Sequence, residues 1–165
     1  MRRRPSTVLD GLVREGDAVL LLGLEQLGED AWAVLAASGL RLLRVAETAA
    51  AVAAIADGAA QIVLTDALHG PPLISAVRER PDLAGVHVVV CADLGSAHEL
   101  REALDSGADD VMRIPFEPEV LAVRIATGLR AARLRANEAL LRSLIDSIPA
   151  PCIAARATGT GRWSG

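Results

Sequence analysis

Five times along this chain a short run of strand length, unbroken and apolar in the first of them, is followed, after a turn signal, by a stretch with helical spacing. The runs are Ala18-Val19-Leu20-Leu21-Leu22, Leu40 to Ala46, Gln61-Ile62-Val63-Leu64-Thr65 ending at Asp66, Val86 to Cys91, and the short Asp110 to Ile114. A run that is apolar throughout, rather than at every second residue, belongs to a strand buried on both faces. The intervening stretches read as helices: Glu29 to Ser38 stopped by Gly39, Glu47 to Asp57 closed by Gly58, and Pro71 to Arg80 opened by a proline pair. Ser96 to Ser106 is a fourth, with Ser96 as N-cap, Glu99 at the capping-box spacing and Gly107 at its end. Strands alternating with helices call for parallel pairing through right-handed crossovers, hence a doubly wound α/β sheet. In such sheets chemistry gathers at the carboxyl ends of the strands, which directs attention to Gly23, Leu24, Glu25, Asp66, Cys91, Ala92 and Ile114.

Composition removes several function classes. A length of 165 residues suits one domain with an appendage. The 17 basic residues against 21 acidic ones give a net charge of -4, without the basic footprint that nucleic acid requires. All the basic residues are arginine, so any mechanism that needs a lysine has none to recruit. Cys91 and Cys152 lie far apart with no metal-ligand spacing, which points to no disulfide framework, no zinc and a reducing cytoplasmic location. The arginine-rich start is followed by a stretch broken by Asp10, Arg14, Glu15 and Asp17, unlike a secretory signal, and Thr7 to Arg14 reads as a short helix. No apolar run approaches the roughly 18 residues of a membrane span, so no membrane partner is expected.

Lone residues are read conservatively. Gly23 to Gly28 has the glycine spacing of a phosphate loop, but Glu29-Asp30 stands where Lys-Ser/Thr is required. His69 reads as a lone exposed loop histidine, His87 as a residue at the polar edge of its strand, His98 as one on a helix face, and Cys91 as a packed core thiol with no cation beside it.

The last helix, from Glu117 to about Ser147 with Gly128 as its only glycine, is too long for one compact domain. Leu134, Asn137, Leu141, Leu144 and Ile148 follow a 3-4-3-4 spacing, the seam of a two-stranded coiled coil with Asn137 as the polar residue that fixes register. A parallel homodimer through this helix is the natural reading. A helix folding back on the domain would show similar spacing.

Three segments carry a family resemblance. Gln61 to Asp66 resembles the strand that presents the phosphoacceptor aspartate in response-regulator receiver domains. Ser106-Gly107-Ala108-Asp109-Asp110 with Ile114-Pro115-Phe116 resembles the family's G-A-D-D and K-P-F signature, and Val19 to Leu22 matches its first strand. The resemblance implies a flavodoxin-like five-stranded parallel sheet of order 2-1-3-4-5, with an extended C-terminal helix here. It also implies two-component (phosphorelay) signalling, with Asp66 as candidate phosphoacceptor.

The rest of the family's machinery is missing. Its acidic pair maps to Gly23-Leu24, its lysine to Ile114, its hydroxyl residue to Cys91 and its switch aromatic to Val111. Arg113, next to Ile114, points to the other face by strand alternation. No cofactor is expected, beyond weak Mg²⁺ binding if Asp66 and Glu25 cooperate. The loop Ala67 to Pro72 is shorter than the family's.

The stretch Leu144 to Ile153 is similar to the start of PAS sensory domains. The implied organisation is an N-terminal arm (1–16), a receiver-like domain (17–131), a coiled-coil linker (132–148) and the start of a truncated PAS-like segment (149–165). The parent protein would be a histidine kinase or diguanylate cyclase, and a histidine kinase or an output domain the partner. The leading expectation is a pseudo-receiver, not itself an enzyme, that acts by dimerisation and protein contacts. Two alternatives are a working receiver modified on Asp66 and a small-ligand sensor with Gly23, Leu24 and Ile114 around an apolar pocket.

Overall fold

The computed structural model describes residues 9, 11–25, 27–93 and 97–149. The elements in chain order are β1 (Ala18–Leu22), α1 (Glu29–Ala37), β2 (Arg41–Val45), α2 (Thr48–Ala56), β3 (Ile62–Asp66) and α3 (Gly70–Arg78). After a 3-10 turn at Pro81–Leu83 come β4 (His87–Ala92), α4 (Ala97–Asp105), β5 (Asp110–Arg113) and α5 (Pro118–Asp146). The strands form one parallel sheet in the order β2-β1-β3-β4-β5, the doubly wound fold expected from the alternation.

The unbroken apolar runs are accounted for by position. Every residue of β1 and β4 is buried, because both lie inside the sheet with helices on each face. Strand alternation divides their side chains between two cores. Val19, Leu21, Ile62, Leu64 and Val89 pack under α1 and α5. Leu20, Leu22, Val63, Val88 and Val90 pack under α2, α3 and α4. Burying each such side chain is worth about 1.5–3 kcal/mol. The edge strand β2 instead exposes Arg41 and Arg44.

The expected bounds and the observed ones differ by one or two residues at most, except at the N-terminus. There, Leu9 and 11–14 form a turn rather than a helix, with the Leu12 and Val13 amides both donating to the Leu9 carbonyl. The Ser96 cap and the PAS-like stretch from 150 onward lie outside the described residues.

Helix α5 runs 29 residues, with Pro118 in its first turn, where a missing N–H costs nothing. Its first half packs on the sheet through Leu121, Ile125, Gly128, Leu129 and Ala132. The helix does not fold back: Leu134, Leu141, Leu144 and Ile148 are all more than half exposed. Gly128 sets how closely α5 approaches, since a Cβ there would lie 2.7 Å from His87 Cδ2 and 3.0 Å from Ile62 Cδ1.

His87 therefore is no edge residue: it is 7% exposed, with its Nδ1 unpartnered. The strand begins between β3 and β5 beneath α5, so the first position of β4 is as covered as the rest. Burial pushes the His87 imidazole below the usual histidine range, with Asp109 opposing and Arg135 reinforcing.

Charged side chains tie the layers together at this end of the sheet. Asp109 accepts the Val88 amide at 2.8 Å, Arg78 of α3 at 2.8 Å and Arg135 of α5 at 2.6 Å. Burial pushes its carboxyl up, but these three donors outweigh burial and hold it below the usual range. Arg133 of α5 binds Asp17 at the foot of β1, and Arg124 binds Asp110 at 2.9 Å. Among the described residues, no helix is long and apolar enough to cross a membrane.

Candidate functional site

The sheet order reverses between β1 and β3, and the residues that follow these strands face each other there. Gly23 leaves β1 with φ of +72°, a conformation that L side chains avoid. There is also no room for a side chain, because a Cβ would fall on His69 Nδ1 and lie 2.6 Å from Asp66 Oδ2. The place next to the aspartate that an acidic side chain would need is filled by a histidine.

Asp66 closes β3. Its Oδ1 accepts the His69 backbone amide at 2.8 Å and faces the His69 ring Nδ1 at 2.8 Å. An ionised carboxylate only accepts, so a neutral ring must carry its proton on Nδ1. Both side chains are half-buried, at 27% and 29% exposure. The expectation of a lone exposed histidine is thus corrected. The short turn after β3 leads straight into α3 at Gly70, itself pressed so close to β4 that a Cβ would sit 2.9 Å from Val90 Cγ2. That geometry returns His69 onto the strand end.

The other candidate positions surround this pair. Leu24 is buried in the α1/α5-side core, and Glu25 is exposed. Cys91 lies beside Asp66 in the sheet register and is 1% exposed. Burial, reinforced by Asp66 and Asp110, pushes its thiol far up, so it is a protonated core residue, as is expected of a thiol without a cation. Val111 is half-buried against the other core, next to α4. Ile114 is half-buried, joined to Pro115 by a cis peptide, while Arg113 is exposed. His98 is exposed on α4, 3.4 Å from Glu102.

An open cleft of about 1370 Å³ lies over these strand ends, lined by Gly23, Leu24, Glu25, Asp66, His69 and Ile114. It is not the apolar pocket expected: Glu29, Asp30, Asp93 and Arg44 also line it. Gly28 is the N-cap residue of α1, so the phosphate-loop spacing is a helix start with two acids in its first turn. Arg44 stacks on Trp32 of α1, 4.8 Å from the ring centre, which places the only arginine among the described residues of this cleft on an aromatic face.

The residues around Asp66 do not fit a Mg²⁺ ion. An octahedral site wants carboxylate oxygens and tightly placed waters. Here Oδ1 is shared with two His69 donors, position 23 has no side chain and position 24 is leucine. No cluster of three or more potential metal ligands occurs among the described residues. The seam residues Leu134, Asn137, Leu141 and Leu144, on the exposed part of α5, and Ile148, just past its end, stand apart from this cleft.

No protein-family model matches the chain, and no curated protein matches it. Solved structures do share its fold. A response regulator from Chloroflexus aurantiacus J-10-fl is 23% identical with a TM-score of 0.62, the match covering 69% of this chain and 98% of that one. A CheY-like response regulator receiver domain protein from Methanospirillum hungatei JF-1 is 19% identical with a TM-score of 0.59, over 72% of this chain and 98% of that one. The signal receiver domain of a signal transduction histidine kinase from Syntrophus aciditrophicus is 22% identical with a TM-score of 0.59, over 68% and 90%. This chain has the receiver fold.

Proposed function

We propose that this chain is a regulatory module of two-component signalling, a pseudo-receiver that works through protein contacts and pairing of its C-terminal helix instead of accepting a phosphoryl group. The observation that carries the reading is the occupation of Asp66. The carboxylate stands where a receiver's acceptor stands, but its Oδ1 is bonded to the amide and the ring of His69.

Phosphoryl transfer to a carboxylate depends on cations that position and neutralise the phosphoryl oxygens. This cleft offers Arg44, already stacked on Trp32, against Glu25, Glu29, Asp30, Asp66 and Asp93. An anionic donor would enter a field of its own sign. Ile114, at the lysine position, gives no hydrogen bond, and Cys91 is buried. What persists is a rigid α/β body whose α5 leaves the domain as a continuous helix. Such a body transmits changes in packing, and the module has no catalytic role of its own. Its partner on this reading is a histidine kinase or an output domain joined to α5.

The test is incubation with acetyl phosphate and Mg²⁺ followed by intact-mass measurement, with Asp66→Asn and a competent receiver run in parallel. The expected result is no adduct on this chain while the competent receiver gains one phosphoryl group. An adduct that Asp66→Asn abolishes would overturn the reading and make this a working phosphoacceptor.

A further inference from the structure

The pseudo-receiver reading above includes pairing of two copies through α5, and the following rests on that part of it. In register with Leu134 at heptad position a, five of the seven exposed large apolar residues of α5 fall on one seam, Val120, Val123, Leu134, Leu141 and Leu144, with Ile148 in line just past the helix end, and Leu140 and Ile145 flank it. The spacing is 3-4-3-4 from Val120 onward, with Thr127, Arg130 and Asn137 at the intervening a and d positions. The seam is therefore not confined to the part of the helix that projects from the domain. It begins two residues after the helix does.

The residues that α5 buries on its own sheet, Leu121, Ala122, Ile125, Leu129 and Ala132, occupy positions b, c and f of the same heptads. The face committed to the domain is thus opposite the seam, and docking on the sheet leaves the seam open along the whole helix.

The flanking positions name the occupant. In a parallel, in-register pair each g residue meets the e residue five positions later on the other helix. For this sequence those pairs are Glu119 with the partner's Arg124, Ala126 with the partner's Ala131, Arg133 with the partner's Glu138, and Leu140 with the partner's Ile145. Each of the four is complementary: two ion pairs, one small pair and one apolar pair. Leu140 and Ile145 are 59% and 65% exposed in the single chain, and this pairing gives each a cover that the a/d seam alone would not. Arg130 at a d position is flanked by the small Ala126 at g and Ala131 at e, which leave its guanidinium a route to water.

We infer that two copies of this chain associate through a parallel, in-register coiled coil that runs the length of α5, from Val120 to Leu144, and not only along its projecting end. Arg124 and Arg133 hold Asp110 and Asp17 of their own domain in the single chain. In the pair, the partner's Glu119 competes for Arg124 and the partner's Glu138 for Arg133, which ties the grip of α5 on the domain to the state of the coil.

The experiment is disulfide trapping in the full chain, in a Cys152→Ser background, with Cys91 protected by burial. Val123→Cys and Leu144→Cys both lie at d positions, 21 residues or about 32 Å apart along the helix, and Ala136→Cys on the outer face is the control. With diamide as oxidant, Val123→Cys and Leu144→Cys are each expected to trap as symmetric dimers, with no mixed species when the two are combined and none from Ala136→Cys. A dimer by sedimentation that traps only as the mixed Val123–Leu144 species is antiparallel and overturns the inference. Trapping at Leu144→Cys alone overturns its extension into the domain. Monomers by sedimentation, with no trapping, overturn the pairing reading itself.

Discussion

Replacing Gly128 by alanine sets two effects of similar size against each other. In an open helix interior the change would stabilise by about 1 kcal/mol, because glycine loses more backbone freedom and leaves backbone exposed. Here the new methyl would sit 2.7 Å from His87 Cδ2, 3.0 Å from Ile62 Cδ1 and 3.2 Å from His87 Nε2. Neither neighbour yields easily: His87 is fixed at the start of a central strand, and Ile62 is fully buried. Overpacking of this kind costs roughly 1–3 kcal/mol, so Gly128→Ala is expected to destabilise by about 0–2 kcal/mol net. Urea denaturation reads this as a lowered midpoint at unchanged slope. Ile62→Val removes the Cδ1 atom at a cost of about 0.5–1.5 kcal/mol, and in the double variant the two losses should fall short of additivity by about 0.5–1 kcal/mol. A Gly128→Ala protein that gains about 1 kcal/mol, with strict additivity alongside Ile62→Val, would refute the close approach of α5 to the sheet.

Three further outcomes follow from the same geometry. Gly23→Ala combines a left-handed backbone with a Cβ against the Asp66–His69 pair, so it should cost about 1–3 kcal/mol by thermal or urea unfolding, with part of the loss recovered when His69→Ala is added. Asp109→Ala leaves the Val88 amide without its acceptor and should cost about 1–3 kcal/mol; Arg78 and Arg135, each about a third exposed, regain water. Because the Asp109 carboxyl lies below its usual range, its contribution is complete above pH about 3.9 and is lost as pH falls through the lower folded value, a dependence that Asp109→Asn should flatten. His87 runs in acid too: its folded value is depressed, so the unfolded chain takes the proton first, and stability declines as pH drops below about 6.5. His87→Gln should lessen that slope between pH 6.5 and 5 in urea midpoints.

The sheet was legible because its signal is local. Ala18 to Leu22 is apolar at five consecutive positions, and glycines at 23, 39, 58 and 107, all at positive φ, mark where elements stop. The order of the strands was not in those runs and came through the motifs at Asp66 and Asp109-Asp110. What the sequence hid is what depends on approach across the fold. His69 and Gly23 are 46 positions apart, and only parallel pairing of β1 with β3 brings them together. His87 looked like an edge residue because alternation says nothing about which strand lies in the middle. Asp109 reads as part of a motif, yet its three donors come from β4, α3 and α5. The seam of α5 was visible from Leu134 onward. Its continuation through Val120 and Val123 became visible only when the opposite face was seen to be buried.

The persistence of an aspartate at position 66 also has a structural explanation that can be separated from its chemistry. Oδ1 receives the amide of His69 three residues on, an Asx-type closure that turns the chain from the end of β3 into α3. An aspartate is favoured there whether or not a phosphoryl group ever reaches it, so its presence alone is no argument for phosphorylation. Asn at 66 keeps an oxygen in the same place and loses only the charge facing the His69 ring; Ala loses the acceptor altogether. Asp66→Ala should therefore lose about 0.5–1.5 kcal/mol, and Asp66→Asn distinctly less, in urea midpoints measured at pH 8, where an ordinary histidine is neutral. If Asp66→Ala unfolds at the same midpoint as the parent chain, the turn does not need the carboxylate. The residue would then have to be explained by what binds to it or reacts with it, and the case for a closed site would weaken accordingly.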